Sequence, residues 1–188
     1  KLLSTLLLTL KGTPYIYQGQ EIGMDDFDFT SMDEVRDVES VNIYALLKRL
    51  HFPKKLRWKM IQATSRDNAR TPMQWTDGKN AGFSDGTPWL KVNPNHKTIN
   101  VAAQEKDKDS VLNFYRQLVA LRKNDLYRDT FTYGDFKPLF EENDSILAFV
   151  RNNKEANQNI VVVANFSQSD VVTTLPYSIR KVLLCNGD

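Results

Sequence analysis

The stretch from Gln18 to about Lys108 constrains the fold most, because it is long, polar and largely without hydrophobic periodicity. It follows Tyr15-Ile16-Tyr17, a short aromatic and β-branched run that predicts a buried strand. It precedes SVLNFYRQLVALRK (110–123), where apolar residues recur at helical spacing. Loops of this length are uncommon in compact domains and are usually functional. Strand, loop and helix together predict one βα unit of a parallel sheet, with functional residues on the loop.

Two helices are predicted inside the loop, near Met32 to Leu50 and near Pro53 to Thr64. The segment RDNARTPMQW (66–75) is predicted to be irregular, because Pro72 disfavours a helix through it. If the sheet closes into a barrel, this loop emerges at the carboxyl end of the strand, where active sites are built.

The opening KLLSTLLLTLKG predicts the last turns of a buried helix that is capped by Gly12. Its apolar run is shorter than the ~20 residues of a membrane span, and it lacks the small-residue cleavage pattern of a signal peptide. No initiating Met precedes it, so we expect the chain to be a piece of a larger protein.

From Thr130 onward the sequence alternates apolar and polar residues. FTYGDFKPLFEENDSILAFVRNN, NIVVVANFS and VLLCNGD read as strands, with turn signals about every 8 to 12 residues, which predicts a small antiparallel β-sandwich. The aromatic residues of this region are expected mostly in the sandwich core, although an exposed set would form a sugar platform. They are Phe131, Tyr133, Phe136, Phe140, Phe149, Phe166 and Tyr177.

Composition excludes several functions. The formal net charge is +2 with no basic block, which argues against nucleic-acid binding. Cys185 is the single cysteine, so no internal disulfide forms, and this fits a reducing compartment. His51 and His96 stand far apart in the sequence, and no Cys/His cluster predicts zinc.

Arg66 and Arg70 are the candidate binding residues, since a guanidinium can clamp a carboxylate or donate to hydroxyl groups. The alternative is a structural ion pair with Asp67, Asp37 or Glu39. We favour this alternative for Arg66 and give the two interpretations nearly equal weight for Arg70.

Aromatic and acidic residues of the same loop offer weaker candidates. Trp75, Phe83 and Trp89 could stack on a ligand, but loop-core packing is the preferred interpretation for the two tryptophans. The acidic residues near the start of the loop are expected to be solvated or to start a helix, and not to form a catalytic pair; they are Asp25, Asp26 and Asp28.

Three segments closely resemble glycoside hydrolase family 13: GTPYIYQGQEIGM (12–24), DEVRDVESVN (33–42) and RDNARTPMQW (66–75). They are most similar to its oligo-1,6-glucosidase and α-glucosidase branch, which includes dextran glucosidase, trehalose-6-phosphate hydrolase and sucrose isomerases. The resemblance covers essentially the whole chain. It implies a fold of α/β plus all-β type: residues 1–128 end a (β/α)₈ barrel with helix seven, strand eight, a long βα loop and helix eight. Residues 129–188 then form a truncated C-terminal β-sandwich.

The resemblance also implies the roles of the loop residues. An arginine matched to Arg70 would pair with an aspartate from an early barrel loop, and together they would hold the far hydroxyls of a glucose in subsite −1. Arg66 and Asp67 would shape this pocket. The nucleophile, the acid and the stabilising aspartate of these retaining enzymes come from strands four, five and seven, all expected before Lys1. Where many relatives have Glu, Gln20 keeps an acceptor oxygen without the charge.

The expected function is therefore that of an inactive fragment of a cytoplasmic, retaining α-glucosidase for short α-1,6-linked glucosides, with no catalytic residue, cofactor or metal of its own. Its expected partners are the oligosaccharide substrate and the upstream part of the same polypeptide. Binding to nucleic acid or to a membrane is not expected. Trehalose-6-phosphate hydrolase and sucrose isomerase remain alternatives within the family. A non-catalytic carbohydrate-binding β module and a purely structural, self-associating fragment are the alternatives of other classes.

Overall fold

The computed structural model describes residues 1–186 of the 188-residue chain. The chain divides into two compact units. The first unit contains Lys1–Ile16 together with the residues from Asn113 onward, and the second unit contains Tyr17–Leu112. The domain boundary predicted between residues 128 and 129 stays a prediction. The helices are α1 Leu2–Thr9, α2 Val38–Arg49, α3 Lys54–Thr64, α4 Val101–Lys106, α5 Val111–Lys123 and α6 Arg128–Tyr133. The strands are β1 Asp135–Leu139, β2 Ile146–Asn153 and β3 Gln158–Asn165.

The first unit contains an antiparallel sheet with the strand order β1-β2-β3. Central strand β2 is mostly buried, and α6 packs on both β2 and β3. Phe149 and Phe131 are fully buried here, whereas Tyr133, Phe136 and Phe166 are exposed. The predicted core position is therefore correct for the first two of these aromatic residues and wrong for the other three.

The predicted sandwich is not formed within residues 1–186, where the structure has one sheet and not two. Residues 182–186 are not in a strand, and the rest of the predicted strand VLLCNGD, residues 187 and 188, lies outside the described residues. A strand needs a hydrogen-bonded neighbour, and alternation in the sequence does not supply one. Residues 131–133 belong to α6, so the predicted β region begins later, at Asp135.

Helix α5 confirms the predicted amphipathic helix, but the predicted cap of α1 is wrong. Helix α1 ends at Thr9, and Gly12 lies beyond its extended C-cap residue Leu10. The last carbonyls of α1 are instead bound by arginines of the same unit. Arg122 Nη1 donates to Leu8 O at 2.7 Å, and Arg151 Nη1 donates to Thr9 O at 2.9 Å. These side chains satisfy the orphan acceptors that a glycine turn would otherwise satisfy.

Tyr15, Ile16 and Tyr17 are not in a strand, contrary to the sequence-based prediction. Tyr15 is 82% exposed and has no neighbouring strand among the described residues, whose strands all lie between residues 135 and 165. A parallel strand requires partners on its flanks, so β-branched and aromatic residues alone do not create one.

The second unit is built from the helical hairpin α2–α3 and long irregular segments. Helix α3 confirms its prediction, while α2 begins at Val38, later than predicted, after a short 3₁₀ turn at Met32–Glu34. The chain is extended at Val35 and Asp37, which separates the two elements. One apolar cluster contains Phe27, Phe29, Val35 and Ile61, and a second contains Ile22, Met73 and Leu112.

No helix in residues 1–186 combines the length and the hydropathy that crossing a membrane requires.

Candidate functional site

The segment RDNAR forms a 3₁₀ turn over Arg66–Arg70 within the second unit. Ser65 caps it, since the Ser65 hydroxyl accepts the Asp67 N–H at 3.4 Å, and Pro72 follows shortly after its end at Arg70. Pro72 has no N–H to continue a helix. Side chains three positions apart eclipse in a 3₁₀ turn, which places Asp67 beside Arg70. The segment predicted to be irregular is thus a short, capped turn.

Asp67 is completely buried, with 0% exposure, and ties this turn to a distant part of the sequence. Its Oδ2 accepts the backbone N–H of Arg36 at 2.6 Å and that of Asp37 at 2.8 Å. Its Oδ1 lies 3.4 Å from Arg70 Nη1. Hydrogen bonds to a charged acceptor are the stronger kind, so one carboxylate anchors both segments.

Asp37 is the second buried carboxylate of the site, and it binds Arg66. Asp37 Oδ1 accepts Arg66 Nε at 3.0 Å and Arg66 Nη2 at 2.6 Å, while Oδ2 accepts the Ser40 hydroxyl at 2.8 Å. The Arg66 guanidinium therefore holds the pKa of the Asp37 carboxyl well below its usual range. Arg66 Nη2 also lies 3.4 Å from Glu39 Oε2. Arg66 is engaged in the structural ion pair that the sequence favoured.

Arg70 is engaged much less. Its side chain is 39% exposed, and Nη1 lies 3.9 Å from Asp37 Oδ1, beyond hydrogen-bond distance. Within residues 1–186, the single hydrogen bond of its guanidinium is the long one to Asp67. A guanidinium carries five N–H donors. Arg70 therefore keeps donors for a further acceptor while its backbone is held in the turn.

Tyr17 is a residue of the site that sequence reasoning missed. Its hydroxyl donates to the carbonyl of Ala69, 52 positions later, at 2.7 Å. The Tyr17 N–H donates in turn to Gln20 Oε1 at 3.2 Å, so Gln20 uses the acceptor oxygen that it was expected to keep. No local sequence signal reports a contact across this separation. Tyr17 fixes the peptide that immediately precedes Arg70.

The aromatic residues of the loop lie on its surface. Trp75 is 48% exposed, Phe83 is exposed and Trp89 is 61% exposed, so the predicted loop-core packing of the two tryptophans is wrong. The loop interior is filled by Ala81 and Leu90 instead, and the Ala81 carbonyl accepts the N–H of Trp75 at 2.9 Å.

The acidic candidates Asp25, Asp26 and Asp28 are exposed, as expected, and Asp28 Oδ1 accepts Gln62 Nε2 at 2.8 Å. Among residues 1–186, no three His, Cys, Asp or Glu side chains are grouped in a way that could hold a metal ion.

The chain is similar in sequence to a known protein family and to characterised enzymes. Residues 1–134 match the family Alpha-amylase, described as the alpha amylase catalytic domain. An oligo-1,6-glucosidase of Bacillus cereus is 43% identical over 194 residues, covering 100% of the chain and 34% of that protein. A glucan 1,6-alpha-glucosidase of Streptococcus pneumoniae is 40% identical, covering 99% of the chain and 34% of that protein.

A solved structure of trehalose-6-phosphate hydrolase from Bacillus licheniformis is similar with a TM-score of 0.88 and 38% identity, covering 99% of the chain and 34% of that chain. The chain thus spans about a third of the length of these relatives.

Proposed function

The chain belongs to the alpha-amylase family, glycoside hydrolase family 13, and from this premise we propose that it forms part of the sugar pocket of a retaining α-glucosidase. The proposed substrates are short α-1,6-linked glucosides. The observation that carries the proposal is the unequal engagement of the two arginines: Arg66 is bound twice by Asp37, whereas Arg70 keeps free donors on a fixed turn.

Arg70 is the proposed sugar-binding residue. Its guanidinium would donate to hydroxyl groups of the glucose in subsite −1, together with a carboxylate supplied from elsewhere in the whole protein. Asp67, Arg66 and Tyr17 hold the turn and do not need to touch the sugar. In this proposal residues 1–128 complete a (β/α)₈ barrel, whose other strands would flank residues 15–17, and residues 129–188 form a separate β domain.

The chain by itself is proposed to be catalytically inactive. Retaining hydrolysis needs a carboxylate nucleophile and a carboxylic acid placed about 5–5.5 Å apart across the scissile bond. The two buried carboxylates of the site are unsuited to this role, since Asp37 and Asp67 already accept hydrogen bonds from arginines and backbone amides. Cys185 is free and exposed, which is compatible with the reducing cytoplasm that we propose as the location.

The preference for α-1,6 linkages is supported by relatives that bear this activity in their names. Trehalose-6-phosphate hydrolysis is the second candidate, because a solved hydrolase of that substrate has a backbone similar to this chain over 99% of its length. We propose the same role for Arg70, binding of the glucose in subsite −1, in both candidates.

A chimera tests the proposal. The chain replaces the matched 34% of the Bacillus cereus oligo-1,6-glucosidase, and hydrolysis of isomaltose, trehalose 6-phosphate, sucrose and a nitrophenyl α-glucoside is measured. We expect hydrolysis of isomaltose by the chimera and none by the chain alone. Arg70→Ala should lower kcat/KM by about 10- to 100-fold, the loss of one charge-assisted hydrogen bond. Arg49→Ala, an exposed arginine at the end of α2, is the matched control.

The results that would contradict the proposal or favour an alternative function are the following. Hydrolysis by the chain alone would place a nucleophile and an acid within it and overturn the proposal. An active chimera that tolerates Arg70→Ala would remove Arg70 from the pocket. In the whole protein that contains this chain, preference for trehalose 6-phosphate over isomaltose would favour the second candidate, and conversion of sucrose to an isomer would favour a sucrose isomerase.

A further inference from the structure

Asp37 connects the two arginines of the turn, although it precedes Arg66 by 29 positions. Its side chain binds Arg66 through Oδ1, and the same oxygen lies 3.9 Å from Arg70 Nη1. Its backbone N–H donates to Asp67, the carboxylate that faces Arg70. Asp37 therefore contacts or approaches every charged group that determines where the Arg70 guanidinium lies.

The charges of this cluster explain why Asp37 matters for Arg70. Two buried carboxylates, Asp37 and Asp67, face two arginines, and each carboxylate has one nearest guanidinium. If the Asp37 charge were removed, Arg66 would keep only its contact with the exposed Glu39 and would compete with Arg70 for the buried charge of Asp67. The Arg70 guanidinium would then be free to leave its present position, since its 3.9 Å ion pair with Asp37 would be lost and only the long 3.4 Å contact with Asp67 would remain.

We infer that Asp37 is a positioning residue for sugar binding. Because Asp37 binds Arg66, Asp67 remains the partner of Arg70, and this holds the Arg70 guanidinium in the position where it binds the glucose. The inference rests on the proposed function, and it assigns opposite roles to two arginines four positions apart. Arg66 neutralises Asp37, and Arg70 binds the ligand.

Asp37→Asn is the informative change. Asparagine keeps the volume of the side chain and the backbone N–H to Asp67, and it retains one oxygen for the Ser40 hydroxyl. It removes the charge that binds Arg66. Asp33→Asn makes the same chemical change at an exposed aspartate of the 3₁₀ turn before α2. Because the Asp33 carboxylate has no hydrogen bond or ion pair within residues 1–186, this variant serves as the matched control.

The test is a double-mutant cycle in the chimera, with glucose as the competing ligand. We expect Asp37→Asn to raise the inhibition constant of glucose and the KM for isomaltose about tenfold, with Asp33→Asn unchanged. In an Arg70→Ala background, Asp37→Asn should have no further effect on the glucose constant, because the residue acts through Arg70. An equal effect in both backgrounds would overturn the inference and leave Asp37 with a structural role alone.

A second measurement needs no activity. In the ¹⁵N spectrum of the chain, the Nε–H of Arg66 should give a protected signal that Arg66→Gln removes and Asp37→Asn shifts to the position of a free arginine. If Asp37→Asn leaves this signal unchanged, Asp37 does not hold Arg66 and the inference is wrong. An inactive wild-type chimera with the expected Arg66 signal would instead contradict the proposed function.

Discussion

Replacing Asp67 should lower the free energy of unfolding of the second unit, because the Asp67 carboxylate is completely buried and accepts hydrogen bonds on both oxygens. In Asp67→Asn, two hydrogen bonds to a charged acceptor become bonds to a neutral one, a loss of about 1 kcal/mol each. The contact with half-exposed Arg70 adds only about 0.5 kcal/mol. We therefore expect a loss of about 2–3 kcal/mol in the free energy of unfolding, and about 3–6 kcal/mol for Asp67→Ala, which removes both bonds.

This loss can be measured by urea unfolding, with tryptophan fluorescence as the signal from the second unit. All three tryptophans, Trp58, Trp75 and Trp89, lie within residues 17–112, so their emission reports on the second unit. With a denaturant slope of about 1–3 kcal/mol per molar urea, the transition midpoint of Asp67→Asn should fall by about 0.7–3 M.

Asp26→Asn provides the matched control for this experiment. Asp26 is exposed and its carboxylate has no partner in the described part of the chain, so its midpoint should stay within about 0.3 M of the wild type. Equal midpoints for Asp67→Asn and Asp26→Asn would refute the reasoning, since the Asp67 bonds would then contribute nothing net to the folded state.

Three further changes test other parts of the structure. The pKa of the Asp37 carboxyl is lower in the folded chain than in the unfolded chain, so its stabilisation is complete above about pH 5 and is lost as the pH falls below about 4. The difference in urea midpoint between wild type and Asp37→Asn should accordingly shrink between pH 7 and pH 3. Ile61→Ala removes a fully buried side chain and should cost about 2–5 kcal/mol, measured by the same fluorescence transition. Arg151→Ala removes two hydrogen bonds, to the carbonyls of Thr9 and Gly134, and should cost about 3–6 kcal/mol. Because the first unit has no tryptophan, circular dichroism measures that loss, and an unchanged thermal midpoint would contradict the assigned role of Arg151.

Local features of the fold were predictable from the sequence because their causes are local. Helical periodicity identified α3 and α5, whereas Pro72 led to the prediction of an irregular segment and not of the RDNAR turn. The candidate partners of the arginines were also named from the sequence, since Asp37, Asp67 and Glu39 are the acids that pair with Arg66 or Arg70 in the structure.

Contacts between distant residues were not predictable in the same way. The bond from Tyr17 to Ala69 and the bonds from Arg36 and Asp37 to Asp67 depend on the path of the whole loop. The strands depend on pairing as well. Three predicted strand regions have antiparallel neighbours in the structure, whereas residues 15–17 and 182–186 have none within residues 1–186. Residue type alone does not report whether such a neighbour exists.

The two edges of the three-stranded sheet are chemically unequal, and this makes one edge better suited to strand addition than the other. Edge strand β1 contains Lys137 and Pro138, a charge and a residue without N–H, both of which discourage addition of another strand. Edge strand β3 reads QNIVVVAN, with neither a charge nor a proline. When two copies pair through β3, the outer edges of the combined sheet are both β1. We therefore expect strand addition at this sheet to use β3 and not β1, so that pairing of identical chains would stop at two copies.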